Sequence, residues 1–352
     1  MKLLVSGGGT GGHFFPAFEI LKKAHELEIE TLYVGTLRGI ESEYKKEIPG
    51  DAVFLETYPF RNTSLKKKIK STTNLIKAVY FLNSEIKEDF LTIIFGGYSS
   101  LPAGILTLLH RKSLFIHEQN SVPSLTNKTL SVFARKVFIS FEYTRNYIKG
   151  SHVIKTGTPV REEILRSRKE KKEARKLLHL DTEGTLILFM GGSQGAGFIN
   201  NLALDFVRKT NIRTLLITGK RDFPRIKETA HTQRNLKIIP FSKNMGLIYS
   251  AVDIAVCRSG AGTIGELSAF GIPALFIPYP YATDDHQFYN AKEIEELGGA
   301  FVIRESEASL EKVVKLVERI QENIESMGKS IKKFYSPRAS TAILKEIFNK
   351  NS

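Results

Sequence analysis

Short apolar runs alternate with amphipathic stretches along most of the 352 residues. KLLVS (2–6), TLYVG (31–35), TIIFGG (92–97), SLFIHEQ (113–119), KVFIS (136–140) and HVIKTG (152–157) are apolar nearly throughout. Such runs predict strands buried on both faces of a sheet. Between them, PAFEILKKAHEL (16–27) and TNLIKAVYFLNSEI (73–86) carry apolar positions at helical spacing. The pattern restarts with TLILFMGG (185–192), TLLITG (214–219), LKIIPF (236–241), DIAVCRS (253–259), PALFIPYP (273–280) and AFVIRE (300–305). This order predicts an α/β protein with two doubly wound, Rossmann-like parallel sheets, helices covering both faces of each. The charged stretch REEILRSRKEKKEARKLL (161–178) divides the two series as linker, exposed helix, or one leading into the other. The final 45 residues read as helix, interrupted at Ser336-Pro337, where a proline breaks or redirects the chain. The expected domains are therefore 1–160 with a returning segment of about 337–352, and 161–336.

Each series opens alike, LLVSGGGTGGHFFPA and LILFMGGSQGAGFIN, as strand, glycine loop and helix. Open α/β sheets bind ligands beyond the carboxyl ends of their strands, so two such units would face a shared cleft. Gly7, Gly9 and Gly12 formally satisfy GxGxxG. A dinucleotide site also requires an acid closing the second strand, and VGT (34–36) has none, which counts against an NAD-type oxidoreductase. The remaining physics is general: glycines admit a ligand close to the backbone, and a helix start favours anionic oxygens. His13 falls near that helix start, where a positive helix end favours a neutral imidazole suited to accepting a proton. The competing reading is a histidine that only hydrogen-bonds the turn.

A third loop, CRSGAGTIGELSAFGIP (257–273), is the most informative. The amides of Ala261, Gly262 and Thr263 would point from a helix start toward a diphosphate. Glu266, one turn on, could accept hydrogen bonds from a ribose diol, or be an ordinary surface glutamate. In DDHQFYNA (284–291), Asp284 and Asp285 lack further spaced ligands for a metal, and turn or capping duty suits them better. Gln287 and Asn290 fall on one helical face and could read hydroxyls. HEQN (117–120) offers the same chemistry after a strand in the first series.

Composition narrows the partners. The chain carries 51 Lys and Arg against 37 Asp and Glu, a net +14, and through Val160 the excess is already +7. An evenly shared basic excess suits anionic lipid or anionic metabolites. No recognition motif or single basic stripe supports a nucleic-acid partner. One cysteine, Cys257, allows neither an intrachain disulfide nor a cysteine-based zinc site, which fits a reducing cytoplasm. No metal or cofactor is called for. The first residues read as a strand rather than a signal peptide, and no apolar run reaches the ~18 residues of a membrane span. In RNTSLKKKIKSTTNLIKAVYFL (61–82), Arg61, Lys66, Lys67, Lys68 and Lys70 precede Leu75, Ile76, Val79, Tyr80 and Leu82. Basic residues beside an apolar helix suit an anionic membrane surface. The alternative is a core-facing helix with a solvated charge run.

Taken together, GGGTGGHFFPA, GGYSSLPAG (96–104), HEQNSVPSLTNK (117–128), GTPVR (157–161), GGSQGA, VCRSGAGTIGEL and the DDHQ–NA stretch resemble the MurG glycosyltransferases of bacterial cell-wall synthesis. HEQN followed by LTNK is the most specific of these. The resemblance implies a two-lobed GT-B fold. It implies transfer of N-acetylglucosamine from UDP-GlcNAc to the 4-hydroxyl of the muramoyl sugar of undecaprenyl-diphospho-MurNAc-pentapeptide, with inversion, turning lipid I into lipid II. It implies a peripheral place on the cytoplasmic face of the bacterial inner membrane. Donor contacts would fall on Thr10, Gly11, Gly12, Asn120, Arg161, Ser193, the loop Ala261, Gly262, Thr263, Ile264, Gly265 and Glu266, and Gln287, with His286 its rival for reading the sugar. Ser242 in PFSKNM would meet uracil through its backbone. His13 is the candidate base, with Glu118 as the rival. A GT-B enzyme acting on another lipid, such as diacylglycerol, is the nearest alternative.

Overall fold

The unbroken apolar runs do become central strands. The computed structural model describes residues 1–58, 65–150, 152–192, 195–230 and 233–349, with 65–69 as backbone alone. The chain forms two units, Met1–Val160 with Ser336–Ser352, and Arg161–Tyr335. In the first unit the elements run β1 (Lys2–Ser6), α1 (Gly11–Glu26), β2 (Thr31–Thr36), β3 (Asp51–Leu55), α2 (Leu65–Glu85), β4 (Phe90–Ile94), α3 (Leu101–Leu109), β5 (Leu114–Glu118), α4 (Leu125–Leu130), β6 (Lys136–Ile139) and β7 (Val153–Lys155). Its seven strands are ordered β3-β2-β1-β4-β5-β6-β7, and all pair in parallel, with Val5 opposite both Tyr33 and Ile93.

The second unit runs α5 (Glu162–Arg166), α6 (Lys171–Leu177), β8 (Leu186–Met190), α7 (Gly197–Lys209), β9 (Arg213–Ile217), α8 (Phe223–Thr229), β10 (Leu236–Ile239), α9 (Met245–Ala251), β11 (Ile254–Cys257), α10 (Ala261–Phe270), β12 (Ala274–Phe276), α11 (His286–Glu296), β13 (Ala300–Val302), α12 (Leu310–Glu322) and α13 (Ile324–Lys332). Its six parallel strands are ordered β10-β9-β8-β11-β12-β13. In both units the strand order reverses beside the first strand, β1 or β8. The loops that follow those strands and their new neighbours thus gather at the switch point where such sheets hold ligands.

Alternation of side chains divides the first unit's core between the two sheet faces. Leu3 and Val5 point to the face that buries Phe14, Phe18, Tyr33 and Phe95, and Leu4 points to the other, with Val34, Leu82 and Leu106. A last helix, α14 (Ala339–Phe348), returns to the first unit and packs on α1. Its Ile343, Leu344 and Ile347 belong to the same buried cluster as Phe14.

Two segments depart from the sequence reading. Strand β3, DAVFL, was not expected, because it is an edge strand whose first four residues stay partly or fully exposed. The charged 161–178 stretch packs closely. Arg175 is only 2% exposed, and it donates to the carbonyls of Ala251, Thr182 and Gly184 at 2.8–2.9 Å and to the Asp253 carboxylate at 2.6 Å. An arginine buried this way is satisfied at each turn of its guanidinium, which a charge run in the sequence does not reveal.

Strand β5 ends in His117 and Glu118, both fully buried. The His117 ring lies 5.3 Å from that of Phe95, and its Nε2 is 3.0 Å from the Gly157 carbonyl oxygen, holding the end of β5 to the strand-end loop beyond β7. Burial outweighs that hydrogen bond and pushes the imidazole down to about 4. The unfolded chain protonates this group near 6.5, so between about 6.5 and 4 the unfolded state binds more protons. The His117 contribution is therefore complete above pH 6.5 and is lost as pH falls toward 4, a change of about 3 kcal/mol. Urea unfolding of wild type and His117→Gln across this range should show a shallower loss of stability in the variant; parallel curves would refute the assignment.

Candidate active site

In the first unit, β1 runs into Gly7–Gly9, and α1 begins with the extended Thr10 as its cap, whose carbonyl accepts from the amides of His13 and Phe14. Glu41 lies beneath this loop, fully buried. Its carboxylate accepts from the Gly9 amide at 2.9 and 3.0 Å and from the Thr36 amide at 3.0 Å. A Cβ on Gly8 or Gly39 would overlap that carboxylate, so both glycines make room for it. An internal anion thus holds the amide that a dinucleotide phosphate would take, a physical reason against the NAD reading. Glu41 escaped the sequence reading because the fingerprint looks for an outward acid at the strand end, whereas this one lies in a turn beyond it and points inward.

Thr10 and Gly12 are exposed, while Gly11 and His13 are half-buried. The His13 ring lies against the backbone of Gly97, where an added Cβ would come within 3.1 Å of its Cδ2 and 3.6 Å of its Nε2. Its Nδ1 lies 3.1 Å from Gln119 Oε1. Glu118 accepts from the backbone amides of Asn120 and Ser124, both at 3.0 Å, and from Asn127 Nδ2 at 2.8 Å. Its two oxygens are committed to the HEQNSVPS turn. Half-buried Asn120 accepts at its carbonyl from the Thr144 hydroxyl, 3.0 Å away.

In the second unit, β11 leads through Arg258 and Ser259 to α10, with Gly260 as the extended cap. The first turn of α10 contains no acidic residue. Ala261 is buried, Gly262 is exposed and Thr263 lies between. Ile264 and Gly265 are buried, so they could reach a ligand only through the backbone. Cβ atoms added at Gly192, Gly197, Gly260 or Gly262 would meet nothing within 4 Å. At Gly262 the backbone is helical, where alanine would be preferred by about 1 kcal/mol. Neither packing nor backbone conformation calls for glycine there, and the space it leaves at the helix start is open.

Glu266 is buried one turn below. Its Oε1 accepts from Arg161 Nε at 3.1 Å and Nη2 at 2.9 Å, and its Oε2 accepts from the Tyr249 hydroxyl at 2.9 Å. Burial opposes the Arg161 charge, but Glu266 outweighs it and raises the guanidinium further. Burial, with Glu266 beside it, pushes the Tyr249 hydroxyl well up, keeping it a donor. A carboxylate offers about four acceptor positions, and three are filled. Gln287, on the first turn of α11, accepts from the Tyr279 amide at 3.0 Å, and its carbonyl accepts from Ser259 at 2.8 Å. Gln287 therefore sits against the strand end that carries α10. His286 turns away to the Thr283 carbonyl, 2.9 Å from its Nδ1.

Asp284 and Asp285 occupy left-handed turn conformations at φ 52° and 55°, and Asp285 accepts from Arg304 at 2.7 Å. Asp285, at the cap position of α11, makes no side-chain cap bond. Ser242 accepts from the Asn244 amide at 3.1 Å. Ser193 lies outside the described residues. Sequence reasoning named Gln119 only as part of HEQN, without a role of its own, and did not single out Tyr249, which belongs to no motif quoted there.

On α2, Lys70 is exposed, Ala78 and Leu82 face the core, Val79 packs partly against it, and Leu75 is half-buried. Ile76 and Tyr80 point outward, 64% and 77% exposed. The helical period separates these pairs, so Val79 belongs with the core-facing side rather than with the outward pair. The side chains of Lys66, Lys67 and Lys68 lie outside the described residues.

Residues 3–139 match the glycosyltransferase family 28 N-terminal domain, and residues 186–343 match the family 28 C-terminal domain. A UDP-N-acetylglucosamine--N-acetylmuramyl-(pentapeptide) pyrophosphoryl-undecaprenol N-acetylglucosamine transferase from Aquifex aeolicus is 46% identical over 347 residues, covering 98% of this chain and 99% of its own. The protein of the same name from Sulfurihydrogenibium is 35% identical, covering 99% and 98%. Among solved structures, Acinetobacter baumannii MurG superposes with a TM-score of 0.78 at 23% identity, covering 99% of both chains. A Neisseria meningitidis UDP-GlcNAc 2-epimerase bound to UDP-GlcNAc superposes at 0.69 and 15%, a likeness of fold alone. With both family domains matched in order and close relatives aligned end to end, this chain belongs to the MurG family of glycosyltransferase family 28.

Proposed function

We propose that the chain transfers N-acetylglucosamine from UDP-GlcNAc to the 4-hydroxyl of the muramoyl sugar of undecaprenyl-diphospho-MurNAc-pentapeptide, converting lipid I to lipid II in peptidoglycan synthesis. The relatives named for that reaction align with it over nearly their whole length. The observation that carries the donor assignment is the open glycine cradle at the start of α10, with a buried carboxylate one turn below.

In this reading the diphosphate lies on the amides of Ala261, Gly262 and Thr263, and the last acceptor position of Glu266 takes a ribose hydroxyl. Arg161 and Tyr249 donate to that carboxylate and aim it. Gln287 offers its amide to the sugar. Thr10, Gly11, Gly12, Asn120, Ser193 and the Ser242 backbone complete the donor contacts. As the acceptor oxygen bonds to the anomeric carbon, the bond to the diphosphate breaks on the opposite face and UDP leaves with its electron pair. The charge growing on the diphosphate meets fixed helix-start donors, a type of interaction worth about 3–4 kcal/mol per donor. His13 takes the acceptor proton, since Glu118 is buried and held by its own loop. A lipid acceptor also explains the outward Ile76 and Tyr80 beside the basic start of α2, which we assign to the cytoplasmic face of an anionic inner membrane.

Three outcomes test these roles. His13→Ala should lower turnover by about 10²–10⁴ while leaving UDP-GlcNAc binding within a factor of about two in calorimetry; near-normal turnover refutes the base. Gly262→Ala should leave the melting temperature equal or higher yet weaken UDP-GlcNAc about tenfold or more, because the methyl enters the cradle. Unchanged donor affinity would place the diphosphate elsewhere. Ile76→Asp with Tyr80→Asp should abolish sedimentation with anionic vesicles; retained sedimentation would move the membrane contact off α2. Assays with lipid I and with diacylglycerol separate the main reading from its nearest alternative.

A further inference from the structure

Three side chains at the end of β5 form a hydrogen-bond chain whose direction is set by two carbonyls. Gln119 Nε2 lies 3.0 Å from the backbone oxygen of His117 and 3.1 Å from His117 Nδ1. A carbonyl only accepts, so the Gln119 atom facing it must be the NH₂ group. Gln119 Oε1 is then the atom facing His13 Nδ1 at 3.1 Å, and it can only accept. The second anchor is independent. His117 Nε2 lies 3.0 Å from the Gly157 carbonyl and must donate to it, which leaves a neutral His117 with an unprotonated Nδ1 to accept from Gln119. Burial keeps His117 neutral above about pH 4. Both anchors give the same polarity: His13 Nδ1–H to Gln119, Gln119 N–H to His117, His117 Nε2–H to Gly157.

We propose that Gln119 and His117 are positioning residues that hold the His13 proton on Nδ1, leaving the lone pair on Nε2 to receive the proton of the acceptor hydroxyl. The proposal rests on His13 being the base, and it adds which nitrogen acts and what selects it. The opposite tautomer would present N–H to the hydroxyl and could not take its proton. When Nε2 is protonated, the Nδ1–H bond to the neutral amide remains, and no further proton moves along the chain. Gly97 leaves space beside the Nε2 edge of the ring. Among the described residues, titratable groups near this chain include Glu118 and Glu41, both accepting from backbone amides, and Tyr98, beside Gly9.

Long-range proton–nitrogen NMR on the full chain with ¹⁵N-histidine reads the tautomer directly. Neutral wild-type His13 should carry its proton on Nδ1; a neutral ring protonated on Nε2 overturns the proposal. Gln119→Ala should give a mixture of tautomers and lower kcat about tenfold or more, with UDP-GlcNAc affinity within twofold. A pure Nδ1 tautomer in that variant overturns it. Gln119→Glu, which keeps the side-chain volume should the alanine variant not fold, supplies an acceptor with charge. It should recover kcat at high pH and move the acidic limb of the kcat/KM profile up by about one pH unit. A limb that stays in place would mean a merely structural glutamine. Failure of the base reading appears separately: His13→Ala would stay active while the NMR arm still reports where the proton sits.

Discussion

The carboxylate of Glu41 on the amides of Gly9 and Thr36 organises the first unit's ligand end. A strand-loop-helix turn rich in glycine leaves backbone amides without partners, and such a nest attracts an anion. Here the protein supplies its own, buried, with Gly8 and Gly39 shaped around it. The loop is thereby tied to a buried carboxylate, and α1 starts in a defined place, with His13 facing Gln119. The second unit repeats the loop architecture at α10, where the buried carboxylate, Glu266, accepts from Arg161 and Tyr249 instead of the loop amides, and Cβ atoms at Gly260 and Gly262 would meet nothing within 4 Å. One architecture is thus filled by the protein's own carboxylate in one unit and left open in the other, where the proposed diphosphate contacts fall.

Much of this was legible in the sequence because it rests on period and on glycine. Runs such as LILFM and LFIHE are apolar at successive positions, which only a doubly covered strand tolerates, and the three glycine loops mark the strand ends where chemistry gathers. What was not legible depends on partners far apart in sequence. Glu41 reads as one acid among many until folding places it 32 residues back, under Gly9. The bond from Arg161 to Glu266 spans 105 residues, so a motif placing each on the donor does not show that they hold each other. Arg175 looks like part of a solvated charge run, and its burial follows from three carbonyls brought to it by neighbouring turns. Strand β3 was lost for the opposite reason, since an edge strand has too little burial to impress a pattern.

The Arg161–Glu266–Tyr249 cluster is consistent with a carboxylate sitting beneath the diphosphate contacts proposed for the start of α10. An uncompensated charge at that depth would be costly, and would also repel the incoming anion. Arginine on one oxygen and a tyrosine hydroxyl on the other stabilise the charge and leave one acceptor position, which the proposed reading gives to a ribose hydroxyl. In the proposed reading, specificity for a sugar nucleotide would have two parts of different kind, amides that welcome negative charge and an acid that rejects it.

The helix α14 carries a consequence for biosynthesis. Ile343, Leu344 and Ile347 lie in the cluster that buries Phe14 and Phe18, yet they leave the ribosome after the whole of residues 161–335. Domains tend to fold as units while the chain is being made. The inserted unit can therefore mature on the nascent chain while the earlier-made one waits, its aromatic surface unsealed, for the closing helix. The unit synthesised first is completed last, and a stalled or truncated product would expose Phe14 and its neighbours to aggregation or to chaperones.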